Sequence, residues 1–191
     1  MAVEGVPDLE LVERARAGDD GAFRVLVERY ESQVAGTVVG MLGPGADAEE
    51  VGQDAFVRFY ESLHRFRGEA SVGTYVTRIA INLALNASKR RKRDRWRFWS
   101  RDRDEDPAPD PVFDGRDAVD QAGRDQLVQE AVQELKPDHR AVVVLRMLEG
   151  YSTKEAAEVL EIPEGTVLSR LARGMAHLKT ILGERMADDE T

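Results

Sequence analysis

Apolar residues recur at spacings of three and four along most of the chain, which predicts a series of amphipathic helices. Glycine and proline interrupt the pattern at Gly43-Pro44-Gly45, at Gly68, at Gly73 and at Pro137. We therefore predict an all-α fold with two helical domains joined by a flexible acidic linker, the C-terminal domain being a helix-turn-helix. The helices are expected at about 8–18, 19–42, 47–63, 74–93, 127–135 and 141–148, followed by a helix pair within 150–179.

The helix pair within 150–179 has the pattern of a DNA-binding motif. Ser152 followed by Glu155 predicts a capping box at the start of its first helix. In its second helix one stripe is expected to be buried, formed by Val167, Leu171, Met175 and Leu178, which leaves Arg170 and Arg173 outside with small residues. Such a face fits a major groove, where arginine can donate two hydrogen bonds to guanine. An ordinary helical hairpin with a solvated polar face is the alternative.

The helix at 47–63 has an acidic face opposite its apolar one. Asp47, Glu50, Asp54 and Glu61 fall together when successive residues are placed about 100° apart. Such a face could receive a basic partner, hold a divalent metal or simply be hydrated. A metal site would need ligands on a neighbouring helix, and no Glu-x-x-His pair is present, so we rank protein docking above metal binding.

The helix at 74–93 ends in a dense basic run. Seven of the nine residues 89–97 are Lys or Arg, and such a density favours an anionic partner, most commonly a phosphate backbone. The helix dipole alone explains only two or three cations at a solvated helix end. A polar stripe with Arg78, Asn82 and Lys89 leads into this run, with Tyr75 and Asn86 at its edge, and a loop at 66–73 precedes it. We interpret this region as a place where single-stranded bases are held.

The charge inverts after the basic run. Eight acidic residues against two basic ones, with three prolines, lie between Asp102 and Asp120, which predicts a flexible or extended linker. It could serve as a spacer, or it could mimic nucleic acid on the basic surface. The whole chain of 191 residues has a net charge of −9 and no cysteine, so thiolate metal sites and disulfides are excluded. No export signal or membrane-spanning run is found, and we expect a cytoplasmic protein without a cofactor or a small-molecule substrate.

These features together resemble the extracytoplasmic-function (ECF) sigma factors of bacterial RNA polymerase. Sigma region 2 resembles DAEEVGQDAFVRFYESLHRFRGEASVGTYVTRIAINLALNASKRRKR, and sigma region 4 resembles LKPDHRAVVVLRMLEGYSTKEAAEVLEIPEGTVLSRLARGMAHLK. The resemblance implies a region 2-like domain at 7–97, the acidic linker at 98–122 and a region 4-like domain at 123–185. It also implies that the chain is not an enzyme, and that it binds the β′ and β subunits of core polymerase, promoter DNA and an anti-sigma factor.

The resemblance assigns roles residue by residue. Polymerase docking is implied for Asp47, Glu50 and Asp54. Recognition and melting of the −10 element is implied for Arg67, Tyr75, Arg78, Asn82, Asn86, Lys89, Arg90 and Arg93. Recognition of the −35 element is implied for Thr166, Leu168, Ser169, Arg170, Arg173, His177 and Lys179. The linker matches the segment that the family threads through the active-site cleft toward the RNA exit channel.

Four positions depart from the family pattern. Tyr75 stands where Trp is frequent, Val72 where a larger aromatic is frequent, and Leu168 where Lys is usual. Glu161 occupies a turn position that is commonly Gly, and a positive φ there would cost on the order of 1 kcal/mol. These departures leave the promoter sequence open.

Two rival functions are weighed beside this one. A stand-alone helix-turn-helix regulator would normally dimerise on a palindrome, and no heptad helix suggests a dimer. A metal-dependent helical enzyme using Asp47, Glu50 and Asp54 lacks partner ligands and a nucleophile–base pair.

Overall fold

The computed structural model describes residues 5–99 and 121–188, and the described part is all-helical. Four helices precede the gap and four follow it. They are α1 (Asp8–Arg16), α2 (Asp20–Leu42), α3 (Ala46–Ser62), α4 (Val72–Trp99), α5 (Gln121–Glu134), α6 (Pro137–Val143), α7 (Thr153–Leu160) and α8 (Glu164–Asp188). A 3₁₀ turn over Leu63–Arg65 follows α3, and a π-helical turn over Val144–Leu148 continues α6. The acidic residues of the predicted linker, 102–120, lie outside the described residues.

The first four helices pack around one apolar core. Phe59 of α3, Leu26 of α2 and Val76 of α4 are fully buried. Ala80 and Ala87 are buried as the sequence predicted, whereas Ile79 and Leu83 are only partly covered. The helix α4 starts two residues earlier and ends six residues later than expected. The whole basic run at 89–97 is therefore part of the helix.

The first helix of the C-terminal pair is capped as its sequence predicted. The Ser152 hydroxyl accepts a hydrogen bond from the Glu155 amide at 3.2 Å, and the Glu155 carboxylate accepts one from the Ser152 amide at 2.8 Å. The helix ends at Glu161, whose φ of 54° lies in the left-handed region. The positive φ considered from the sequence is therefore present, with its cost of about 1 kcal/mol for a residue with a Cβ.

One part of the predicted buried stripe on α8 is wrong. Val167 and Leu178 are buried and Leu171 is partly buried, but Met175 is 39% exposed. Gly174 faces the core instead, where a Cβ would lie 2.8 Å from Val143 Cγ2. A period of 3.6 residues puts position 174, two turns beyond Val167, on the same face, so Gly174 brings α6 and α8 close together at this point.

The two groups of helices share a continuous core. The chain from α6 through its π turn lies between α8 on one side and α2 on the other. Two glycines of α2 permit the close approach: a Cβ at Gly40 would lie 2.8 Å from Val144 Cγ1, and one at Gly36 would lie 2.5 Å from Glu149 Oε1. The C-terminal helices therefore pack directly on the N-terminal ones. None of the helices in the described ranges is both long and apolar enough to cross a membrane.

Candidate polymerase and nucleic-acid interfaces

The acidic face of α3 is only partly free. Glu50 and Asp54 are exposed and form no ion pair with described residues, while Asp47 accepts a hydrogen bond from Arg91 Nε at 2.5 Å. Arg91 also donates to the Leu42 carbonyl oxygen at 3.1 Å. This residue of α4 therefore contacts both the C-terminal end of α2 and the N-terminal end of α3. No group of three His, Asp or Glu side chains in the described ranges has the geometry to hold a metal ion.

The loop before α4 is held from two sides. Phe66 is buried, and its ring contacts Tyr75 edge-on with centroids 5.0 Å apart. The Arg16 guanidinium of α1 donates to the carbonyl oxygens of Leu63, at 2.8 Å, and Phe66. Arg67, in the same loop, is exposed to solvent. These contacts fix the entry to α4, where sequence resemblance places −10 recognition.

Most of the polar stripe on α4 is exposed. Tyr75 is half-buried between Phe59 and Phe66. The exposed members are Asn82, Asn86, Lys89, Arg90 and Arg93. These five lie between positions 82 and 93, on a little over three turns of the helix. They form a polar and basic surface that can meet a phosphate backbone.

Arg78 differs from the other residues of this stripe because it is already engaged. Its Nη1 donates to Glu161 Oε1 at 2.9 Å, and its Nη2 donates to the Glu158 carbonyl oxygen at 2.7 Å. Both partners belong to the end of α7, so a residue expected at the −10 element is bound to the turn of the helix-turn-helix. In this arrangement Arg78 is not available to DNA.

A small polar cluster lies beside this contact. The Gln33 amide donates to Thr77 Oγ1 at 2.8 Å, and the hydroxyls of Thr77 and Tyr151 share a hydrogen bond at 2.9 Å. Gln33 also donates to the Tyr151 hydroxyl, so each of the three side chains bonds both others. We call Gln33, Thr77, Tyr151, Arg78 and Glu161 the interdomain latch. Polar groups that hydrogen-bond one another across the two helix groups favour this one arrangement of them.

The outer face of α8 is largely exposed. Leu168 is 55% exposed, and Ser169 donates to the Thr166 carbonyl oxygen at 3.0 Å. Thr166 and Arg170 are partly buried; the others, Ser169, Arg173, His177 and Lys179, are exposed. Arg170 lies 3.4 Å from Asp138 of α6 in an exposed ion pair. The residues implied for −35 recognition are thus all at least partly accessible. Thr166, Ser169, Arg170, Arg173 and His177 lie on one side of α8, whereas Leu168 and Lys179 lie on the opposite flank.

Sequence reasoning missed the residues that join the two helix groups. Arg140 is only 8% exposed and donates to the carbonyl oxygens of Met41, at 2.7 Å, and Leu135, at 3.0 Å. It thereby satisfies carbonyl groups at the ends of α2 and α5, which have no partner within their helices. One signal was available: residues 141–145 are apolar at every position, which predicts a helix covered on all sides, and all five are buried.

Two family models match the chain in order. The model of Sigma-70 region 2 matches residues 26–94, and the model of Sigma-70, region 4, matches residues 125–178. Among curated proteins, the RNA polymerase sigma-H factor of Pseudomonas aeruginosa is 34% identical over 178 residues, covering 87% of this chain and 89% of that protein. The chain belongs to the sigma-70 family.

Other relatives place this sigma factor in the ECF class. The ECF RNA polymerase sigma-E factor of Escherichia coli strain K12 is 34% identical over 183 residues, covering 89% of this chain and 91% of that protein. A solved structure of CnrH in complex with the cytosolic domain of CnrY is similar with a TM-score of 0.66 and 26% identity, covering 93% of this chain and 97% of that one. The sigma factor RpoE of Bartonella quintana, solved with the anti-sigma factor NepR, has the same fold, with a TM-score of 0.62, 22% identity and coverage of 84% and 96%. Both the all-α fold and the family predicted from the sequence are confirmed.

Proposed function

We propose that this ECF sigma factor directs RNA polymerase core enzyme to its promoters by contacting the −10 element with α4 and the −35 element with α8. The supporting observation is that two exposed faces with nucleic-acid character, one on each helix, lie within the two matched sigma regions. The protein supplies recognition and strand capture and no bond chemistry, which belongs to the polymerase. We place it in the cytoplasm, where its polymerase and promoter partners are.

Core polymerase is the partner we propose for the acidic face of α3. Glu50 and Asp54 are exposed and unpaired within the described ranges, so they can meet a basic surface without breaking an existing contact. Asp47 must first release Arg91. Exposed ion pairs are worth about 0–1 kcal/mol, so this release is a small cost.

We further propose that free sigma factor binds promoter DNA poorly. Arg78 is held by Glu161 and the Glu158 carbonyl oxygen, and the helix-turn-helix covers that part of α4. Opening the −10 element also requires extruding bases, which costs a few kcal/mol that stacking and pocket contacts must repay. Separation of the two helix groups is therefore the step that makes α4 available.

Run-off transcription with purified core polymerase and a promoter library tests the function. Transcripts that depend on this protein are expected, and the absence of both transcripts and core binding would refute the proposal. A stand-alone regulator would instead bind its DNA at physiological salt without polymerase, so a gel-shift assay with protein alone separates the two functions. Nanomolar promoter binding by the free protein would also contradict the occluded state of Arg78.

A charge reversal tests the docking face. Glu50→Arg with Asp54→Arg is expected to weaken core binding strongly while leaving the helical content unchanged. Glu31→Arg on the exposed side of α2 is the matched control, and it is expected to bind core as the unmodified protein does. Equal core affinity for the double variant and the control would exclude this face from docking.

An anti-sigma factor is the remaining partner that we propose. The support is that the similar CnrH structure contains a partner's cytosolic domain. Co-purification from a host that expresses the tagged sigma factor at its natural level, followed by inhibition of run-off transcription with the recovered partner, tests this.

A further inference from the structure

A basic cleft lies where the two helix groups meet. Its volume is about 580 Å³, and it is lined by Lys89 of α4, by Lys136, Pro137, Asp138 and His139 at the start of α6, and by Arg170 and Arg173 of α8. Lysines and arginines from three separate helices thus point into one space. Because Lys89 comes from the N-terminal helices and the others do not, the cleft is complete only when the two groups are packed together.

The charges of the cleft are not balanced. Four side chains are cationic, and Asp138 is the single carboxylate among the lining residues. Asp138 lies 3.4 Å from Arg170 and is largely exposed. Lys89, Lys136 and Arg173 form no ion pair with any described residue, so three positive charges remain without a counterion from residues 5–99 or 121–188. Packing these cations together opposes the observed arrangement unless an anion joins them.

Partial burial and the positive charges of the cleft lower the pKa of its histidine, His139. Partial burial lowers the pKa of His139, and the nearby charges of Lys136, Arg173 and Arg170 lower it further. The ring is therefore neutral at pH 7 and can still offer one N–H donor. The field is positive at this place although the whole chain carries a net charge of −9.

We propose that this cleft binds a compact polyphosphate, such as pyrophosphate, tripolyphosphate or the phosphate tail of a nucleotide. Lysine and arginine are the side chains that recognise phosphate oxygens most strongly, through charge-assisted hydrogen bonds. The volume lies in the range of small-ligand sites, and Pro137 is the only apolar residue in the lining, which disfavours an apolar ligand. A ligand that touches Lys89 as well as Lys136 and Arg173 bridges both helix groups.

The consequence is a regulated sigma factor. A bridging anion binds the packed arrangement and not the separated one, so it shifts the population toward the packed form by its differential affinity. It also occupies Arg170 and Arg173, which are proposed here for −35 recognition, so its effect on transcription rests on that proposal. Binding of the anion to the free protein does not depend on the −35 proposal. The binding test and the transcription test can therefore fail independently of each other.

Titration calorimetry of the full chain with pyrophosphate, tripolyphosphate and ATP tests the site. One ligand per chain is expected, with affinity reduced about fivefold or more in Lys136→Gln and in Lys89→Gln. Lys154→Gln, an exposed lysine of α7 outside the cleft, is the matched control and is expected to bind within twofold of the unmodified protein. The Lys89 variant is the decisive one because only the packed arrangement brings this residue to the other cations.

An independent readout is the titration of His139 followed by NMR. Bound polyphosphate is expected to raise the pKa of His139 toward its ordinary value, because its charge offsets the field of the neighbouring cations. Absence of saturable binding, or equal binding in Lys136→Gln and the unmodified chain, overturns the proposal. The proposal is also overturned if pyrophosphate binds only after residues 102–110 are deleted. In that case the acidic segment of the chain itself would occupy the cleft in the full-length protein. Binding of single-stranded DNA at this cleft without any binding of the small anions would also overturn the proposal.

Discussion

Removing the charge of Glu161 is expected to loosen the packing of the helix-turn-helix on α4. The variant Glu161→Gln deletes the ion pair to Arg78. In this pair the Arg78 side chain is 27% exposed and the Glu161 side chain is 66% exposed. A pair this exposed contributes about 0.2–1 kcal/mol, so the ratio of packed to separated molecules should fall roughly 1.4- to 5-fold. Glu161→Gly removes the same pair and also relieves the left-handed φ of 54°, which should raise the stability of α7 and α8 by about 1 kcal/mol.

Pulsed electron–electron spin resonance measures this change directly. The chain has no cysteine, so Gln53→Cys on α3 and Glu184→Cys on α8, both exposed positions, can carry the two spin labels. Both variants at 161 should increase the population at long distance, and only the glycine variant should also melt at higher temperature. Glu158→Gln is the control, since Glu158 contacts Arg78 through its backbone carbonyl and not its side chain. The reasoning fails if the glutamine variant and this control give identical distance distributions.

Three smaller changes test other parts of the packing. Ser152→Ala deletes the hydroxyl of the capping box and should cost about 0.5–2 kcal/mol in urea unfolding; no loss would mean that the cap is not formed in solution. Gly174→Ala places a Cβ 2.8 Å from Val143 Cγ2 and should destabilise by about 1–3 kcal/mol. The control Gly183→Ala, in open space on the same helix, should instead stabilise by about 0.5–1 kcal/mol through helix propensity. Burial raises the pKa of the Glu149 carboxyl, so its neutral form is favoured in the packed state, and packing should weaken as pH rises through that raised pKa. Glu149→Gln should abolish this dependence in the spin-label distances, and a slope unchanged by the substitution would exclude Glu149 as its source.

The sequence predicts the helices better than it predicts their assembly. The capping box at Ser152 and the turn at Glu161 follow from local rules, because capping and backbone conformation depend on residues within one turn. Periodicity tells which face of a helix is buried but not what covers it. Arg78 on α4 therefore has the pattern of a solvent-facing DNA contact, although its partner is Glu161, 83 residues further along the chain. Arg140 is a similar case, since a charge in an apolar helix is buried only when enough carbonyl oxygens, here supplied by α2 and α5, surround it.

The position of the latch sets an order on the events of initiation. Glu50 and Asp54 are exposed in the packed arrangement, whereas Arg78 is engaged by the helix-turn-helix. We therefore expect core polymerase to bind the packed protein first, through α3, and the separation of the two helix groups to follow. A partner shifts such an equilibrium only by the difference between its affinities for the two forms. The surfaces that polymerase uses to separate the helices must then include some that the packing covers. Separation uncovers the face of α2 that carries Gly36 and Gly40, and the face of the π turn that carries Val144.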